Sequence, residues 1–75
     1  MDTPQNIIGP QLRKLRYERG LTQEQFAAQL SVKGMAITRG TLSKIEAQVR
    51  CVADYEVAAL AKAAKVALTS LFPPH

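Results

Sequence analysis

A chain of 75 residues, 47% of them apolar, can close one small core but not two, so a single domain over 1-75, folded from about 7 to 72, is expected. Lys and Arg number 10 against 6 Asp and Glu, and Arg13, Lys14, Arg16, Arg19, Lys33, Arg39, Lys44 and Arg50 crowd into the first 50 residues, a lopsided positive field that suits either a polyanion or plain solvent. No apolar run approaches the ~20 residues of a membrane span, residues 1–10 lack the zones of a signal peptide, and Cys51 has only His75 to share a metal with, which excludes an internal disulfide and zinc.

A soluble, cytoplasmic protein without cofactor or membrane is therefore expected. Cys51 reads as a small semi-buried hydrophobe. A domain this small hides only ~60% of its unfolded surface, so a second copy would help its stability.

Residues 1–6 are polar and read as frayed. From Ile8, Leu12 and Leu15 the pattern turns helical, with Pro10 in the first turn and either Gly9 or Asn6 as the cap. Gly20 ends this helix as a left-handed residue. Thr22 then caps a second helix, Gln25 completes a capping box, and Leu21 and Phe26 are spaced as a hydrophobic staple. Phe26, Ala27 and Leu30 form the buried stripe, and the pattern runs through Val32 and Lys33 until Gly34.

Thr38 repeats the start signal for a third helix, with Ile37 and Leu42 at the staple positions and Leu42 and Ile45 facing inward. Residues 47–53 have no helical period and read as a loop, after which Asp54 is expected to cap a fourth helix from Tyr55 to about Ala64, with Val57, Leu60, Ala61 and Ala64 inward. A last short helix around Leu68 to Phe72 stops at Pro73 and Pro74. Tyr17 and Tyr55 read as half-buried rim residues.

A helix that enters the major groove needs one face fixing it to a scaffold and another bearing side chains that reach base edges and phosphates. The third helix offers both, and its free N-terminal amides add positive potential suited to phosphate. The competing reading is a solvated polar face on an ordinary bundle. Catalysis is not expected, because the only histidine is terminal and no nucleophile and base pair is visible.

Arg16, Gly20, Leu21, Thr22, Gln23, Phe26 and Ala27, with Thr41, Leu42, Ser43, Ile45 and Glu46, follow the pattern R-x-x-x-G-L-T-Q-x-x-L-A … T-x-S-x-I-E. In this the chain resembles the phage-repressor, Cro-like (Xre-type) helix-turn-helix regulators, and Leu60 to Ala63 with Val66, Leu68 and Leu71 resemble their closing helices. The resemblance implies an all-α, four- to five-helix lambda-repressor-like domain that binds double-stranded DNA. It implies base reading at Arg39, Gly40, Ser43 and Lys44, backbone contacts at Gln23, Thr38 and Thr41, and a structural ion pair between Arg16 and Glu46. A repressor or autoregulator acting as a homodimer on an inverted repeat is expected, with Leu68 and Phe72 as candidate dimer contacts. The alternative is an antitoxin-like module that binds a protein partner.

Two departures stand out. Seven residues separate Leu30 from Thr38 where the family has two or three, so a longer second helix and a wider turn are expected, with Lys33 and Met35 near the docking edge. Ala47 and Gln48 replace the family's Asn-Gly turn, and Arg50 is expected to supply charge to the DNA backbone there.

Overall fold

The computed structural model describes residues 3–73. Met1 and Asp2 of the segment expected to fray, Pro74 of the expected helix stop, and His75 lie outside the described residues. Four α-helices, α1 (Gly9–Glu18), α2 (Gln23–Val32), α3 (Arg39–Glu46) and α4 (Asp54–Ala64), are followed by a 3-10 helix (Leu68–Leu71), with no strand among the described residues. This is the all-α architecture expected from the resemblance.

Leu12, Phe26, Leu30, Leu42, Ile45, Leu60 and Leu71 bring one buried residue or more from every helix into a common core. Against it α3 packs on both α1 and α2, while α4 packs on α2 and the 3-10 helix.

Local chemistry sets most of the boundaries. Thr22 Oγ1 accepts from the Gln25 amide at 3.1 Å while Gln25 Oε1 accepts from the Thr22 amide at 2.9 Å, the reciprocal box expected there. Thr38 Oγ1 accepts from the Thr41 amide at 3.1 Å. Gly20, at φ +66, closes α1 as the Leu21 amide reaches back to the Arg16 carbonyl. Gly34 at φ +100 does the same for α2, where the Met35 amide bonds the Leu30 carbonyl. The long α2–α3 connection is tied shut by Ser31, whose hydroxyl donates to the Ile37 carbonyl and accepts from the Ile37 amide. Ile37 can then enter the core immediately before the Thr38 cap.

Several expectations need correction. Residues 5 and 6 are not frayed: the Gln5 amide bonds the Gln48 carbonyl, and Asn6 Oδ1 caps the Gly9 amide at 2.8 Å while Nδ2 donates to the carbonyls of Ile45 and Arg50. Gly9 is thus the first residue of α1 and not its cap. Cys51 is exposed, because Val52 and not Cys51 turns toward the core. Tyr17 and Tyr55 are also exposed, at 60% and 74%, since Leu15 and Arg16 take the inward positions of α1 and Val57 takes that of α4.

Asp54 is not a cap either. Ala53 occupies that position without a side-chain acceptor, and Glu56 compensates by accepting the Ala53 amide at 2.9 Å. This bond first, and Arg50 second at 3.2 Å, hold the Glu56 carboxyl below its ordinary range. A depressed carboxyl stabilises the fold above its unfolded pKa of about 4.3, and the contribution is lost as pH falls through the lower folded value. Glu56→Gln, which keeps the acceptor but cannot titrate, should therefore flatten the acid limb of a stability–pH profile. An acid limb unchanged from wild type would contradict this role.

Candidate nucleic-acid interface

The third helix is two-faced. Leu42 and Ile45 are buried beneath it, whereas Arg39, Gly40 and Lys44 are exposed, Thr41 and Ser43 are half-buried, and Thr38 stands exposed at its start. Its far end lies tight against the start of α1. A Cβ on Gly9 would collide with the Ile45 carbonyl and lie 3.0 Å from that of Glu46, so only glycine lets the two backbones approach this closely.

That junction is fastened by charge. Arg16 Nε and Nη2 donate to Glu46 Oε2 and Oε1 at 2.8 and 3.0 Å, and Nη1 donates to the Leu21 carbonyl at 3.0 Å, with both residues only 6% exposed. Hydrogen bonding to Glu46 raises the Arg16 pKa against the opposing effect of burial. Gln23 joins the cluster through Nε2, 3.1 Å from Glu46 Oε1. One amide hydrogen of Gln23 is thus committed inward, and the other is left for an outside acceptor. The first turns of α2 and α3 are brought together here, since Gln23 and Arg39 line one polar groove.

Other sequence candidates lie elsewhere. Lys33 lines a groove between α2 and α4 beside Lys65, whose neighbouring like charge lowers the Lys33 pKa. It is not on the groove that holds Gln23 and Arg39, because α2 ends in the turn at Gly34 on the α4 side. Arg50 pairs with Glu56 and donates to the Cys51 carbonyl at 3.0 Å, so its charge is largely answered within the chain. Leu68 and Phe72, 47% and 38% exposed, line an apolar groove of about 400 Å³ with Ile7, Val52 and Val57.

Sequence reasoning noted Gln48 only as a departure from the family's turn and missed what it does. It adopts the left-handed conformation at φ 63 that closes α3, with the Val49 amide bonded to the Lys44 carbonyl, and its Nε2 donates to the Asn6 carbonyl at 2.8 Å. The turn that Asn-Gly forms in the family is thus made by a glutamine, whose side chain holds the N-terminal segment. Among the described residues there is no group of acids, histidines or cysteines that could hold a metal. No helix of the described residues is long and apolar enough to cross a membrane.

A family model described as helix-turn-helix matches residues 12–71, well over half of the chain. No curated protein and no solved structure gives a match. With its capped helices, its outward-facing α3 and this match, the chain belongs to the helix-turn-helix family in its Cro/C1 type, a family of DNA-binding transcription regulators.

Proposed function

We propose that this chain is a cytoplasmic repressor or autoregulator that binds an inverted-repeat operator as a homodimer. The observation that carries the reading is α3: an exposed row of Arg39, Gly40 and Lys44 standing on buried Leu42 and Ile45. Arg39 and Lys44 suit guanine O6 and N7, with Ser43 beside them. Gln23, Thr38 and Thr41 suit the sugar-phosphate backbone. Because Lys33 faces Lys65 and Arg50 pairs with Glu56, the proposed footprint omits both. The groove bearing Leu68 and Phe72 is the proposed dimer face, and two-fold symmetry would set the reading helices ~34 Å apart.

One observation favours a second reading, in which the same domain docks a protein partner. The groove between α2 and α4 has an apolar floor including Val32, which is 81% exposed, and cationic walls of Arg19, Lys33 and Lys65.

Selection of bound fragments from a random duplex pool tests the first reading. An enriched inverted repeat, bound more weakly as salt rises, is expected; no enrichment, or a salt-insensitive signal, would reject it. Gly40 supplies a sharper test. A Cβ there meets nothing closer than Thr38 Oγ1 at 3.9 Å, so Gly40→Ala should raise stability by ~0.5–1 kcal/mol. The same methyl should alter the preferred operator sequence, and a binding profile identical to that of wild type would remove Gly40 from the reading surface.

A further inference from the structure

The outer face of α1 carries a cation and a phenol that the footprint above does not use. Arg13 is exposed, and its contacts are with Tyr17: Nη2 donates to Tyr17 Oη at 3.4 Å, and the guanidinium lies 5.6 Å from the ring centroid. Arg16, fixed from below by Glu46, lies 4.6 Å from the same ring. Two guanidinium groups therefore hold one phenol in place. They also lower its pKa, Arg13 chiefly, so the hydroxyl is a stronger proton donor than a free tyrosine. Since that oxygen accepts from Arg13, its own proton is left over, and it has no acceptor among the described residues.

Arg13 and Tyr17 form one wall of an open polar groove whose other walls carry Gln23 and Arg39. Arg16 is neutralised there by Glu46, and Glu24 is the one further carboxylate on the rim. Arg13 and Arg39 thus face a shared space with one acid between them. That surplus of positive charge calls for an anion, and the donors present, a guanidinium, a phenol and a primary amide, match the oxygens of a phosphodiester. The groove adjoins the start of α3, which favours a phosphate of the duplex that α3 enters over a free anion.

We propose that Arg13 and Tyr17 form a phosphate-binding site on α1 that grips the DNA backbone alongside Gln23. The site rests on the DNA-binding reading and adds to it a third helix that touches the duplex. It positions and does not read sequence, because its ligand is the same at every base pair.

The test uses the full chain and the selected operator duplex, with affinities measured over a salt series. Both side chains are exposed, so Arg13→Gln and Tyr17→Phe should melt as wild type does. Arg13→Gln is expected to weaken binding to operator and scrambled duplex alike, by about tenfold at low salt. The slope of log K against log salt should shrink by about 1.8, one phosphate's worth (~0.9) for each of the two copies on the operator. Tyr17→Phe should weaken binding severalfold with the slope unchanged, since it removes a neutral donor. A neutral methylphosphonate placed at one backbone position of each half-site should impair wild type and leave Arg13→Gln indifferent. If wild type binds but Arg13→Gln keeps its full salt slope, the α1 site is overturned and the reading of α3 stands. If wild type binds no duplex at any salt, both fall together.

Discussion

Glu46→Ala is expected to destabilise the protein by about 3–5 kcal/mol, the cost of leaving a buried charge without its partner. Arg16 would keep its place, 6% exposed between α1 and α3, with its Leu21 carbonyl bond but with no carboxylate. Gln23 would lose its inward acceptor at the same time. A domain of this size is stable by only roughly 4–11 kcal/mol at ordinary per-residue values, so the variant should melt far below wild type. The companion variant Arg16→Met with Glu46→Leu separates the cost of an orphaned charge from the worth of the pair, because exchanging both partners for apolar residues of similar size is often neutral. It should recover at least half of the loss in a thermal or denaturant melt. A Glu46→Ala melt within a degree or two of wild type would show that water reaches Arg16 and that the pair does not bind α1 to α3.

Signals that act within five residues of one another were legible in the sequence. Thr22 with Gln25, Thr38 with Thr41, and the left-handed glycines 20 and 34 each complete their hydrogen bonds locally, so the bounds of α2 and α3 follow from residue type and spacing alone. What joins distant segments was not legible. Gln48 closes α3 in a conformation that residue type disfavours, and it is held by Asn6 and Gln5, more than forty positions away. Nothing in the string AQVRC announces that clasp. The same limit explains Lys33 and Arg50, whose charges were visible but whose neighbours Lys65 and Glu56 were set by the packing of α4. In α1 the 3.6-residue period marks Ile8, Leu12 and Leu15 as inward, but it cannot foresee that an arginine shares their side. Only the resemblance paired Arg16 with Glu46, and no periodicity argument reaches Tyr17 wedged against Arg13 and Arg16.

Sequence preference, unlike stability, should reside almost wholly in two exposed side chains of α3. Arg39→Ala combined with Lys44→Ala is expected to fold as wild type does, since neither residue has a salt bridge or a side-chain hydrogen bond among the described residues and both stand clear of the Leu42 and Ile45 face. A bidentate contact to guanine discriminates by ~1–3 kcal/mol, so losing two of them, ~2–6 kcal/mol in each half-site, should lower the ratio of operator to scrambled affinity by about 30-fold or more. Non-specific affinity should fall far less, because Gln23, Thr38 and Thr41 remain to engage the backbone. The direction of each change matters as much as its size. A uniform drop on all duplexes, with the ratio preserved, would make Arg39 and Lys44 phosphate contacts and move base reading to Ser43 and Thr41. With Gly40 presenting no side chain between them, the two cations are the longest donors on this face, so the larger loss is expected in the ratio and the smaller in overall affinity.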